Sequence, residues 1–186
     1  MQDLSLHLLD IVQNSIRAQA NKILIRIEEK PSKDELKMYV EDNGNGMSKE
    51  FAEHIIDPFV TSRTLRRVGL GIPLLKQNCE SSDGKLEIIS EPNKGTIIKA
   101  IMKYHHIDRV PLGDLVSTMV ILIQSNPQIE FNYTYQYEED SFIFKTEEIK
   151  NILKDVSIDN LEVLAWIREY ISDNMENITI NNKEYK

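Results

Sequence analysis

Gly69-Leu70-Gly71 stands directly ahead of an apolar run that opens on Pro73, Leu74 and Leu75, and few patterns restrict a chain more. Proline suits the first turn of a helix, where its missing N–H costs nothing, and the leucines after it are good helix formers. The glycines therefore form a loop that feeds a helix N-terminus. Such an end presents unpaired N–H groups and roughly half a positive charge, which suits phosphate, and bare backbone lets a ligand come close. Alone, the pattern fits a plain loop-to-helix turn equally well. Its surroundings add charge, because Thr61 to Lys76 contains Arg63, Arg66, Arg67 and Lys76 and no acid.

That basic island sits in an acidic chain. Among 186 residues, 30 are Asp or Glu and 22 are Lys or Arg. Residues 1–104 hold 15 acidic and 15 basic side chains, whereas 105–186 hold 15 and 7, so the whole net charge of −8 falls in the second part. This asymmetry predicts two modules, 1–106 and an acidic 107–186. A small basic island fits a small polyanion and argues against long nucleic acid, whose phosphates want a broad positive face. No run approaches the roughly 18 apolar residues of a membrane span. The first helical segment carries Asp3, His7 and Asp10, unlike a signal peptide, and the expectation is a cytoplasmic protein with no membrane contact. Cys79, the single cysteine, lies in a predicted helix and is expected to be a buried, inert thiol.

Periodicity supplies the frame. Leu4 to Ala20 reads as a helix with an apolar face through Leu8, Leu9, Val12 and Ile16. Asp10, Asn14 and Arg17 fall at offsets of four and three, so they share a stripe roughly 60° wide at about 100° per residue. Ile23, Ile25 and Ile27 alternate as a strand, as do Leu36, Met38 and Val40 before Asp42. Ser48 can cap a short helix to Ile56. After the glycine loop come a helix from Pro73 to Ser82 and a hairpin of Leu86–Ile89 and Thr96–Lys103. The order α β β α α β β predicts an α/β two-layer sandwich, with helices on one face of a mixed, mostly antiparallel sheet.

A second glycine cluster, Asp42-Asn43-Gly44-Asn45-Gly46, leaves the strand that ends at Asp42. By itself it is an ordinary turn signal. Preceded by the polar-striped helix and followed by the glycine loop, it belongs to a much rarer set. Here the chain resembles the GHKL superfamily, the Bergerat-fold ATP binders that include histidine kinase catalytic domains, mismatch-repair ATPases, type II topoisomerases and certain chaperones. LLDIVQNSIRAQA resembles the N box, EDNGNGM the first glycine box, DPFVTSR the phenylalanine box, RRVGLGIPLLKQ the second glycine box and EPNKGTIIKAIM the closing Gly-Thr hairpin. Order and spacing agree over about residues 4–104.

The resemblance implies ATP and Mg2+ as ligands. Asn14 is similar to the asparagine that offers its carbonyl oxygen to magnesium, an ion that usually takes one or two protein oxygens. Asp42 matches the adenine reader, an acceptor for the exocyclic amine directly or through water. Gly44 and Gly46 give room beneath the base, and Thr96 with Gly95 closes the far end of the pocket. Gly69, Leu70 and Gly71 match the loop over the phosphates, joined by Arg63 and Arg67. Arg17 stands where histidine kinases often carry a cation and mismatch-repair ATPases an aspartate; it can hold phosphate oxygens or be a solvated helix residue. Asp10, four residues before Asn14, occupies the place where hydrolytic members and anti-sigma serine kinases put a glutamate general base, and it is the candidate catalytic residue.

The pattern also departs from the family. Arg67 replaces the usual glycine two before Gly69, and only seven residues separate Ser62 from Leu70, so the lid is short. Only Met1 to Leu6 precede the N box, and the expectation is a domain without a helical hairpin for a phosphoacceptor histidine. His54 reads as a surface residue, and His105 and His106 as linker residues; His7 stands three before Asp10. The expectation is a phosphotransferase module that acts on another protein in signalling. Its alternatives are a slow regulatory ATPase that switches a partner and a nucleotide sensor without chemistry. Residues 107–186 carry no nameable motif. An amphipathic helix through Leu112, Leu115, Val116, Met119 and Ile123 is followed by an aromatic hairpin, Phe131 to Phe144, expected to bury its face on neighbouring helices. Thr146 can cap a helix to Val156 and Asp159 another, which carries Trp166 on its flank and frays after Met175. The charge asymmetry suggests that this part docks a partner; the alternative is an extension that completes the first core.

Overall fold

A computed structural model describes residues 2–56 and 70–184. Helix α1 (Leu4–Arg17) begins where the Asp3 carboxylate accepts the Leu6 N–H, relieving one of the unpaired donors of a helix start. Its apolar stripe, Leu4, Leu8, Ile11 and Val12, is completely buried against the sheet. Gln19, at φ 64, turns the chain into β1 (Lys22–Lys30). A 3-10 turn (Pro31–Lys33) leads to β2 (Glu35–Asp42). In both strands alternate residues face the core, which is the period-two pattern that the isoleucines and Leu36, Met38 and Val40 announce.

Ser48 starts α2 (Lys49–His54) by accepting the Phe51 N–H, and the helix stops two residues short of the expected Ile56. Helix α3 (Gly71–Ser81) begins two residues ahead of Pro73. The proline still falls in the first turn, where no N–H is needed. Strands β3 (Lys85–Glu91) and β4 (Gly95–Met102) form the closing hairpin, with Asn93 and Gly95 in the left-handed region at its turn. The remaining elements are α4 (Leu115–Ser125), β5 (Glu130–Tyr137), β6 (Asp140–Lys145), α5 (Thr146–Leu153) and α6 (Leu161–Glu184).

All six strands form one mixed sheet in the order β3-β4-β2-β1-β5-β6, antiparallel except where β5 runs parallel to β1. The α/β sandwich expected from the element order is therefore present. The change of charge near residue 105 marks no gap in this sheet, because Ile23 and Ile27 on β1 face Phe131 and Tyr135 on β5, and one apolar core spans both parts. The connection between them also straps α1, whose Leu4 and Ser5 N–H groups donate to the Pro111 and Leu112 carbonyls at 2.9 Å.

The aromatic hairpin buries its face as expected, with Phe131, Tyr133 and Phe144 inaccessible. Two local expectations fail. Thr146 does not cap α5; its Oγ1 accepts the Phe131 N–H at 2.9 Å, stitching the helix start to β5. Nor does α6 fray after Met175. Met175, Thr179 and Asn182 recur at helical spacing and meet Tyr133, Tyr135 and Asp140, so the polar composition of the last turns conceals a contact stripe.

Candidate functional site

A cavity of about 760 Å³ opens between α1, α2, the start of α3 and the ends of β2 and β4. Ile11, Met47, Ile72 and Ile98 give it apolar walls, and Asp42 stands among them. Asp42 is the last residue of β2, on its core-facing side, which is why a carboxylate is only 8 % exposed here. Both of its oxygens are held: Ser15 Oγ donates to Oδ2 at 2.6 Å and the Gly44 N–H to Oδ1 at 2.8 Å. Each carboxylate oxygen accepts more than one donor. The group is thus an oriented acceptor able to take a further N–H from whatever fills the cavity.

Thr96 is the register partner of Asp42 on β4 and lines the same cavity. Its hydroxyl pairs with Ser90 Oγ at 2.9 Å, and Ser90 also accepts the Met47 N–H, which ties the glycine-rich turn to the closing hairpin. Gly46 sits at φ 60, and a Cβ there would lie 2.0 Å from the Glu91 carbonyl oxygen, so only glycine permits this approach.

The polar stripe of α1 borders the other side. Asn14 and Arg17 line the cavity, and Arg17 Nη1 donates to Asn14 Oδ1 at 3.1 Å. Asn14 Nδ2 is buried without a partner. Asp10 packs against the first residue of α3, where a Cβ on Gly71 would lie 1.8 Å from Asp10 Oδ2, and that oxygen is likewise buried and unpaired. One turn earlier His7 is fully buried, its Nε2 2.7 Å from Asn78 Nδ2 on α3. Burial holds the His7 pKa down to about 4, so the ring is neutral.

Of the residues singled out in the sequence, Asn14, Arg17, Asp42, Gly46 and Thr96 line one cavity. Gly44 packs beneath it on the Ala18 carbonyl. Asp10 and Gly71 adjoin it, and Leu70 stands outside, 61 % exposed. Arg63, Arg67, Gly69 and the phenylalanine box lie outside the described residues. Asn14 Oδ1 is an oxygen of the kind that a hard divalent cation takes. His105 and His106 belong to the connection, where they meet Asp34, Asp83 and Asp108. Cys79 is buried and its thiol is pushed up to about 12 by burial, an inert group.

Ser15 is the residue that pattern reading passed over. A signal existed, because Ser15 falls four residues after Ile11 on the buried side of α1, and a polar side chain there requires a partner. Sequence alone does not say that the partner is Asp42, 27 residues away.

The family of histidine kinase-, DNA gyrase B-, and HSP90-like ATPases matches residues 2–106. The chain is 31 % identical over 119 residues to a non-motile and phage-resistance protein of Caulobacter vibrioides, an alignment covering 59 % of this chain and 14 % of the relative. It is 29 % identical over 94 residues to sporulation kinase C of Bacillus subtilis, covering 50 % and 22 % respectively. The chain thus spans between about a seventh and about a fifth of the length of these relatives. Among solved structures, the N-terminal domain of a DNA repair protein superposes with a TM-score of 0.53 at 18 % identity, over 77 % of this chain and 52 % of that one. Such a likeness speaks for the fold alone. With the family match covering more than half of the chain, the conclusion is that this protein belongs to the histidine kinase-, DNA gyrase B-, and HSP90-like ATPases.

Proposed function

We propose that this chain binds ATP with Mg2+ in the cavity beside α1 and transfers the terminal phosphoryl group to a histidine or hydroxyl of another protein. The observation that carries the nucleotide reading is Asp42, a carboxylate fixed by Ser15 and Gly44 in an apolar-walled cavity of about 760 Å³. A flat base fits such walls, and an exocyclic amine is the donor that an oriented carboxylate accepts. The similarity to sporulation kinase C supports the transfer reading.

In this reading Asn14 Oδ1 is the protein oxygen for magnesium, which when bound neutralises phosphate charge. Arg17, now on that oxygen, is long enough to release it and hold phosphate oxygens. The start of α3 offers backbone N–H groups to the phosphates; Arg63, Arg67 and Gly69, outside the described residues, are assigned to the phosphates by the sequence resemblance alone. Asp10 is the general base: its Oδ2, buried and unpaired, is an acceptor waiting for a proton from water or an acceptor hydroxyl. The same oxygen favours a second reading, slow hydrolysis that switches a partner, because a base of this kind activates water as well. Residues 1–106 form the nucleotide-binding unit in either case.

Incubation of the pure protein with gamma-labelled ATP, with and without cell extract, separates the two. Label on a protein band only when extract is present is the expected result. Free phosphate at the same rate in both samples would establish the hydrolytic reading, and no turnover in either would leave a nucleotide sensor.

A further inference from the structure

The extension carries an exposed aromatic surface that the nucleotide reading does not use. Trp166 and Tyr170, one turn apart on α6, stack with ring centroids 4.9 Å apart and planes 13° from parallel. Tyr170 is braced from behind by the core residues Phe142, edge-on at 5.5 Å, and Phe144 at 6.5 Å. The pair is therefore held in place by β6. Tyr170 covers one face of the indole, yet Trp166 remains 47 % exposed and Tyr170 38 %.

The fringe of this platform is acidic. Glu162, Glu169 and Asp173 stand four before, three after and seven after Trp166, which puts all three within about 60° of it around the helix. All are exposed, and among the described residues none is in an ion pair. Arg168, the cation between them, is turned to α4, where it donates to Ser117 Oγ at 2.7 Å. An aromatic face is electrostatically negative, and three carboxylates beside it deepen that potential. A phosphorylated or nucleic-acid ligand is repelled. A guanidinium both stacks on the ring and pairs with the carboxylates, and an ammonium does so more weakly.

We propose that the Trp166–Tyr170 platform docks a cationic segment of a protein partner, one arginine or lysine side chain lying over the indole and its neighbours meeting Glu162, Glu169 and Asp173. The surface is independent of the nucleotide site and of the reaction assigned to it.

Trp166 is the only tryptophan in the chain, so its emission reports occupancy of the platform directly. The full chain is titrated with a hexa-arginine peptide at an ionic strength of about 0.15 M, where charges beyond about 8 Å are screened. Hexa-glutamate is the control. A saturable change in emission with the arginine peptide alone is expected. By calorimetry, Trp166→Ala weakens binding about five- to thirtyfold, the span of an exposed to a desolvated cation–π contact, while Trp166→Phe retains most of it. The pair Glu162→Lys and Glu169→Lys weakens binding more than Glu139→Lys with Asp155→Lys, which changes the charge equally elsewhere. Equal affinity for the wild type and Trp166→Ala, or equal loss from the two charge pairs, overturns the proposal in favour of diffuse attraction. Should Trp166→Ala not fold, the wild-type emission and the two charge pairs decide. An emission shift that follows protein concentration without peptide also overturns it, because a second copy then covers the platform.

Discussion

Where β2 and β4 end, the sheet surrounds a cavity with polar atoms left without partners; where β5 and β6 lie, it is filled with aromatic rings whose hydroxyls are satisfied. Among the described residues, the buried side-chain atoms without a partner are His7 Nδ1, Asp10 Oδ2 and Asn14 Nδ2, all on α1. At the other end Tyr133 donates to Met175 Sδ, Tyr135 to Glu29 Oε1 at 2.6 Å, and Thr146 accepts from Phe131. An orphaned buried polar group costs about 1–3 kcal/mol. Three on one helix are tolerated only if packing elsewhere compensates and if the site gains its partners on binding. On the proposed reading, stability and ligand binding are divided along a single sheet, with the acidic extension supplying the first.

Removing the extension should have the largest effect. Cutting after His106 strips β5 from β1 and α4 from α1, uncovering Ile23, Ile25 and Ile27, all now at 0 % exposure. We expect an insoluble fragment or one without a cooperative unfolding transition by circular dichroism. A folded fragment with undiminished ATP affinity would return the stabilising core to residues 1–106. A milder cut at the same place is Phe131→Ala, which should cost about 3–5 kcal/mol. Urea unfolding should show that loss while calorimetry finds nucleotide affinity unchanged; coupled losses would mean that the two ends are not separate in function.

At the cavity end, Asp10→Asn should lower turnover of labelled ATP by at least about 10²-fold, the low end for a general base, with ATP binding retained. The free protein should be no less stable, since the substitution replaces an unpaired carboxylate by a neutral amide. Unchanged turnover removes Asp10 from the chemistry. The smallest effect concerns pH. His7 has its pKa lowered from 6.5 to about 4 by burial, so the unfolded chain takes up the proton first. Stability from this group is complete above about pH 6.5 and declines as pH falls towards about 4, by up to about 1.4 kcal/mol per unit. Replacing the ring, in His7→Gln, should flatten that slope in a series of urea titrations. A slope that is unchanged places the proton elsewhere.

How much of this was legible in the sequence follows the same division. The sandwich comes from periodicity, whereas Asn14, Asp42 and Thr96 were singled out by the resemblance of their motifs to the GHKL boxes, and the structure puts all three on one cavity. The union of the two parts was not legible, because the parallel pairing of β1 with β5 joins residues more than 100 positions apart and no turn signals it. Charge composition, which separates the parts, describes the surface and is silent on the core. Ser15 escaped for a related reason: its role depends on Asp42, which the fold and not the local pattern brings to it. The stacking of Trp166 on Tyr170 was half visible, as an i, i+4 pair on a helix flank.

Whether Asp42 reads the base in the α1 cavity is decided by calorimetric titration of ATP and GTP, with magnesium, into the wild type and Asp42→Asn. A hydrogen bond to a charged acceptor contributes about 1.5–3 kcal/mol. The wild type should prefer ATP over GTP by roughly tenfold or more, and Asp42→Asn should abolish the preference chiefly by weakening ATP. Equal binding of both nucleotides by the wild type, or an ATP preference that survives in Asp42→Asn, would contradict that role for Asp42.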